Sequence, residues 1–237
     1  MVYKKYKKKI PARKRRYRKK PTSRRTAIMR FPISPFPKVL KTKMRYSDHS
    51  YITAGSASMG TPVTYNLNSV YDPNNAVGGD QPMGRDTLLG GTNTAAPYHH
   101  YLVTGAKVII DLVNNTSETS YLIFKGFDNH ISSFPSHILQ AKERGWISKT
   151  IGGPNSAKGI TRFSKYYDIS SLFGIKRNEL IIDDKYGAEN NANPSDLALF
   201  QFAAQDVDGS GTATTVQYLL TIIYYVTLSE RNELASS

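Results

Sequence analysis

Thr215-Val216-Gln217-Tyr218-Leu219-Leu220-Thr221-Ile222-Ile223-Tyr224-Tyr225-Val226-Thr227-Leu228 is the most apolar stretch of the chain. Its core, Tyr218 to Leu228, is too short for a helix that crosses a bilayer, which needs about 18 or more apolar residues. Threonine interrupts it, and β-branched and aromatic residues dominate it. Such side chains suit a pleated, half-buried surface. It reads as a strand, and it sets the texture of everything from Lys38 onward.

Working outward, Val39–Tyr46 alternates and reads as a strand, as does Thr61–Val70. Tyr101–Val113 has mixed period, with Val108, Ile110 and Leu112 on one face. In Ser120–Phe127, Leu122, Phe124 and Gly126 alternate against Ile123, Lys125 and Phe127. Trp146–Ile151, Ile160–Ile169 and Leu197–Gln205 are further strands, and Glu179–Asp184 is expected as a short one. Residues 71–97, rich in Gly, Pro, Asn and Asp, read as a long loop. Helical character is confined to Ser136–Arg144 and to a turn at Leu172–Ile175. About eight strands with almost no helix predict an antiparallel β-sandwich or jelly roll, not a βαβ fold. No internal repeat is visible.

Charge divides the chain of 237 residues. The first 47 residues hold nineteen Lys or Arg and no Asp or Glu, while the rest holds thirteen basic and eighteen acidic residues. The formal +14 is thus a basic arm joined to a mildly acidic body. Residues 1–25 carry fourteen cations with Tyr3, Tyr6 and Tyr17 between them: Lys4, Lys5, Lys7, Lys8, Lys9, Arg13, Lys14, Arg15, Arg16, Arg18, Lys19, Lys20, Arg24 and Arg25. Like charges at this density oppose folding, so disorder in the free state is expected, with a polyanion as partner. Each cation that meets a phosphate releases condensed counterions, and tyrosines can stack on unpaired bases. The arm therefore predicts nucleic-acid binding. It is far longer than the 5–8 basic residues of a nuclear-localisation signal, a role the same residues can also fill. Residues 26–37 contain Pro32, Pro35 and Pro37 and read as an extended linker. The folded domain is expected over 38–237.

Other motifs yield to plainer readings. There is no cysteine, which excludes disulfides and thiolate chemistry. No signal-peptide h-region and no membrane span are expected. Asp206-Val207-Asp208-Gly209-Ser210-Gly211 resembles the start of an EF-hand loop, but Gln217 stands where the closing Glu belongs and both flanks are strand-like. It reads as a hairpin turn. Residues 152–159 lack the order of a phosphate-binding loop. His99 and His100, adjacent on a strand, point to opposite faces and cannot chelate one ion. Asp183–Asp184 reads as part of an acidic loop, and Asn114-Asn115-Thr116 as an unused glycosylation acceptor. No cofactor, metal site or catalytic group is expected.

Three stretches carry a resemblance: Tyr65-Asn66-Leu67-Asn68-Ser69-Val70-Tyr71-Asp72-Pro73, then Gly78-Gly79-Asp80-Gln81-Pro82-Met83-Gly84-Arg85-Asp86, then Tyr98-His99-His100-Tyr101-Leu102-Val103-Thr104-Gly105-Ala106-Lys107-Val108. Together they resemble the capsid proteins of circovirus-like (CRESS) small circular single-stranded DNA viruses. Those proteins share an Asn-Ser-(aromatic)-Asp-Pro strand end, a Gly-x-Gln-Pro loop and a Tyr-x-x-Tyr-x-Val-x-Gly-(small)-Lys strand. Where this chain has Asp80, the family pattern often carries His. The resemblance implies a single eight-stranded viral jelly roll and a shell of sixty copies with T=1 icosahedral symmetry. It also implies arms turned inward on viral single-stranded DNA, and a life in the virion and, during assembly, the host nucleus. Nuclear import receptors would be partners, and the host attachment receptor is not specified. Loops 71–97 and 127–145 would supply subunit contacts. Competing readings are a cellular single-stranded nucleic-acid-binding protein with a basic tail, and a jelly-roll enzyme or lectin. The acidic body disfavours the first, and the lack of a His and carboxylate cluster the second.

Overall fold

The computed structural model describes residues 36–76, 81–90, 96–116, 118–129, 133–153, 160–207 and 214–231. Two antiparallel sheets face each other. The first holds β1 (Leu40–Ala54), β9 (Thr214–Arg231), β3 (Tyr98–Asn114) and β6 (Thr161–Asp168), in that order. The second holds β2 (Val63–Asn66), β8 (Ala198–Asp206), β4 (Ser120–Asp128) and β5 (Ile147–Ile151). A short β7 (Gly187–Glu189) pairs with the start of β3 and extends the edge where β6 ends. With β7 set aside, eight strands run in the order of a jelly roll. Most consecutive strands lie in opposite sheets, so the chain winds around the core instead of meandering through one layer. The fold is the expected eight-stranded jelly roll, with β7 as an added short strand.

β9 shows why. From Thr214 to Leu228 every even-numbered residue is buried. The inward row from Val216 to Leu228 is almost wholly apolar or aromatic, as a strand with one face on the core requires. The mixed period of β3 has a definite cause. Its register slips between Val103 and Gly105, leaving Thr104 as an extra residue whose hydroxyl donates to the Tyr225 carbonyl at 3.2 Å. Such a bulge reverses which residues face inward. Tyr101 and Val103 are buried before it, and Ala106, Val108, Ile110 and Leu112 after it.

The sheets meet in an aromatic centre. Phe200 on β8 is fully buried, with its ring centroid 6.3 Å from Phe124, 6.3 Å from Phe163, 5.8 Å from Tyr167 and 5.8 Å from Phe202. Tyr167 fits because β4 offers Gly126 beneath it, where a Cβ would lie 2.5 Å from the ring. A second cluster sits behind β4 and β8. There α2 (Ile138–Glu143) and Trp146 cover Ile123, Phe127 and Leu199, so β8 is buried on both faces.

Several local expectations move. The helix expected at Ser136–Arg144 is α2. The loop 71–97 contains α1 (Arg85–Leu89), and the helical turn expected at Leu172–Ile175 lies three residues earlier as α3 (Ile169–Leu172). The short strand expected at Glu179–Asp184 is corrected: this segment is α4 (Arg177–Ile182), followed by a 3-10 turn over Asp184–Tyr186. Glu179 accepts the Lys176 N–H at 3.2 Å and starts the helix. Of its three consecutive apolar residues only Leu180 enters the core, leaving Ile181 and Ile182 59% and 79% exposed.

The strand end from Tyr65 to Pro73 forms a buried polar knot. Asn68 donates to the Asp196 carbonyl at 2.8 Å and accepts the Ala198 N–H at 2.9 Å. Ser69 accepts the Tyr71 and Asp72 N–H groups, and Tyr224 donates to the Asn66 carbonyl at 2.7 Å. Tyr65 donates to Asp48 at 2.6 Å and lies 2.9 Å from the Tyr218 hydroxyl. Burial, then the bond to Asp48, pushes the Tyr65 phenol far above its ordinary range, and burial pushes Tyr101 up to about 12. These tyrosines stay neutral and act as hydrogen-bond donors. Replacing Asn68 with alanine orphans the buried Ala198 N–H and the part-buried Asp196 carbonyl. It is expected to cost about 1–3 kcal/mol, a fall in Tm of roughly 2–12 °C for a domain of this size. A thermal melt at the wild-type temperature would show that the knot is not structural.

Candidate nucleic-acid interface

The fourteen arm cations at residues 4–25 lie outside the described residues, as do Asp80, Asp208 and the loop 154–159. What the structure does describe is the root of the arm and the surface beside it. Phe36 packs edge-on against Tyr98 with ring centroids 6.4 Å apart, and the Tyr98 hydroxyl donates to the Pro37 carbonyl at 2.8 Å. The chain then enters β1 at Leu40, opposite Leu228 of β9. The arm root is thus tied to the end of the sheet where β1 and β3 begin and β9 ends.

Strand alternation decides what this end presents. On β1, Met44 and Tyr46 turn inward, so Lys41, Lys43 and Arg45 turn out. The register sets Lys43 opposite Tyr225, Arg45 opposite Ile223, and Ile223 in turn opposite Lys107 of β3. The Lys43 ammonium stands 5.1 Å from the Tyr225 ring centroid, and Tyr166 of β6 meets the same ring edge-on at 5.5 Å. Tyr166 reaches across β3 because residue 105 is glycine. A Cβ there would fall 2.1 Å from the Tyr166 hydroxyl oxygen. Partial burial, with Asp168 nearby, raises the Tyr166 phenol, so it is neutral at physiological pH.

Beside these residues lies a groove of about 780 Å³, lined by Lys41, Lys43 and Tyr225 from the sheet and by Arg177 and Ile181 from α4. Arg85, Arg162 and Lys185 are in ion pairs, with Asp86, Asp111 and with Asp183 and Asp196 respectively. Among the described residues Lys41, Lys43, Arg45, Lys107 and Arg177 have no such partner. Asp168, near Arg177, turns its carboxylate to the start of α3, accepting the Ser171 N–H at 3.2 Å. Basic residues on an edge strand also discourage edge-to-edge pairing. That role does not account for Arg177, which arrives from a helix.

The same face ends differently near the other end of β1. There His49, Leu219, Val113 and Ile160 line a groove of about 680 Å³ beside the Asp111–Arg162 pair, whose bonds measure 2.5 and 2.6 Å. The Arg162 guanidinium holds the Asp111 carboxyl below its ordinary range.

Other motifs resolve into structure. Asp206 is buried at the end of β8 and accepts the Ser120 hydroxyl at 3.0 Å, bridging β4 and β8. Asn114 is buried, donates to the Glu118 carbonyl at 2.6 Å and accepts from Thr116, a turn-closing role. His99 is exposed and His100 partly covered, with Nδ1 3.4 Å from the Ser229 hydroxyl. Asp183 caps the 3-10 turn and pairs with Lys185 at 3.3 Å.

The groove is hidden in the sequence because Lys41, Lys43 and Arg45 fall within the basic first 47 residues and read there as part of the arm's charge. Lys41, Lys43 and Arg45 could have been found from the alternation of β1, but Lys107 and Arg177 come from distant segments.

No protein-family model and no curated protein matches the chain. Solved structures do. The 60-mer BFDV capsid protein is 9% identical, with a TM-score of 0.46, covering 85% of this chain and 100% of that one. A chain of the Macrobrachium rosenbergii nodavirus is 10% identical, with a TM-score of 0.46, covering 98% and 65%. A chain of Desmodium yellow mottle tymovirus is 12% identical, with a TM-score of 0.43, covering 89% and 98%. At such identities and scores the assignment of the jelly roll rests on this chain's own strand order.

Proposed function

We propose that this chain is a structural coat protein: the capsid subunit of a small circular single-stranded DNA virus, without catalytic activity. In this reading sixty copies close into a T=1 icosahedral shell, and the arm at residues 1–25 packages the genome from inside. The observation that carries it is the joining of two opposites within one chain, whose charge balance reverses at Asp48. A run of cations without a single acid passes directly into the first strand of a jelly roll whose remaining charge is net acidic. A protein that only bound nucleic acid would have no need of such a body, whereas a container needs a rigid tile and a tether to its cargo. The same basic run would serve nuclear import receptors, bringing the protein to the host nucleus for assembly. The resemblance of residues 65–108 to circovirus-like capsid proteins supports the choice of DNA.

The test is electron microscopy of the purified full-length protein, with the 260/280 nm absorbance ratio measured after nuclease treatment. Closed shells roughly twenty nanometres across, holding protected nucleic acid, are expected from the family resemblance. A monodisperse monomer across salt conditions would favour the second reading, a cellular single-stranded nucleic-acid-binding protein with a basic tail. The cations around the groove give that reading its one supporting observation.

A further inference from the structure

We propose that the groove at the arm root is itself a binding site for single-stranded nucleic acid, so that the folded body grips the strand as well as the arm. The inference rests on the packaging role proposed above and extends it from the arm to the sheet.

Three features converge. First, Lys41, Lys43 and Arg177 line one groove from two separate elements, and none has an ion-pair partner among the described residues. Arg85 and Arg162, by contrast, are each paired with a carboxylate. Second, two aromatic rings stand at the groove. Tyr225 lines it, and Tyr166, 48% exposed, meets Tyr225 edge-on through the gap left by Gly105. Cations that follow a backbone, with rings on which bases stack, are the two components of sequence-tolerant single-strand binding. The volume of about 780 Å³ falls within the range of ligand sites. Third, Phe36 and Pro37 are fixed against Tyr98 at this same end, and Val39 already lines the groove. The described chain thus begins beside the groove, with Lys38 and Lys41 following Pro37 in sequence. Phosphates would lie on Lys41, Lys43 and Arg177, with a base against Tyr166 or Tyr225.

The test uses the full chain and two charge-matched variants. Lys43→Gln with Arg177→Gln removes two groove cations, and Lys142→Gln with Lys149→Gln removes two from elsewhere on the body. Binding of a fluorescent oligothymidine is measured by anisotropy across salt concentrations, after circular dichroism has confirmed that each variant is folded. The groove variant is expected to lower the salt slope by about 1.4, at 0.7 per single-strand phosphate contact, and the control to leave it unchanged. In parallel, an oligonucleotide carrying 5-iodouracil is photo-crosslinked to the wild-type chain and the adducts are mapped by mass spectrometry. Adducts at Tyr166 or Tyr225 support the site. Adducts confined to Tyr3, Tyr6 and Tyr17, with equal slopes in both variants, would overturn it while leaving arm-based packaging intact. A full chain that binds no oligonucleotide at all would overturn both.

Discussion

Removal of residues 1–25 is expected to abolish most of the affinity for single-stranded nucleic acid while leaving the jelly roll folded. Fourteen cations leave with that segment. If each meets one phosphate, the slope of log K against log salt should fall by up to about ten, at 0.7 per contact. Near physiological salt such a change separates tight binding from weak residual contact. Among the described residues every core side chain lies beyond Phe36. The melting temperature should therefore stay within about 2 °C of the full chain, less than the shift that 1 kcal/mol produces in a domain of this size. The measurement is a salt-dependent titration paired with a thermal melt. An unchanged slope would mean that the arm is not the electrostatic grip. A large fall in Tm would mean that it is part of the fold.

The largest effect on stability is expected at Phe200. Its ring stands where both sheets converge, touching Phe124 and Phe202 from its own sheet and Phe163 and Tyr167 from the other. Phe200→Ala removes the side chain from a fully buried position, and its neighbours are strand residues that cannot collapse into the space without breaking register. The expected cost is about 3–5 kcal/mol, or a fall in Tm of roughly 6–20 °C. Calorimetry would measure it. A fall of less than about 2 °C would contradict the view that this ring joins the two sheets. If the chain assembles into a shell as proposed above, the same substitution should reduce assembly in proportion to the unfolded fraction at the assembly temperature.

Much of the fold was legible because strands with one buried face write that fact into their sequence. β9 and β4 read as strands, and β1 alternates clearly at its start. β1 nevertheless runs eight residues past Tyr46, through Ser47, Asp48, His49 and Ser50, which look like a turn. Pairing with β9 keeps those residues extended. Tertiary context here overrides local preference. The misread segment at Glu179–Asp184 shows the same principle reversed. Leu-Ile-Ile suggests a strand, yet a single buried Leu180 and the Glu179 bond to the Lys176 N–H suffice for a short helix that leaves two isoleucines in solvent. The mixed period of β3 was visible in the sequence, but its cause, the extra Thr104, appears only when β9 is laid beside it. The candidate site divides similarly. The basic arm was plain from charge counting, whereas the groove needs Arg177 brought next to Lys41 and Lys43 by folding.

The anchoring of Phe36 and Pro37 at the start of β1 also has a mechanical meaning. If the chain packages a genome as proposed above, a shifting genome would pull on the arm, and the load would enter the sheet at Leu40. β1 is paired with β9 over fifteen residues, from Leu40 opposite Leu228 to Ala54 opposite Thr214. Hydrogen bonds between antiparallel strands run across the strand axis. Tension along β1 therefore stresses the whole ladder in shear at once and does not peel its bonds apart one by one. On that reading, a strand under load is expected to slip from the arm's cations before β1 is sheared from β9.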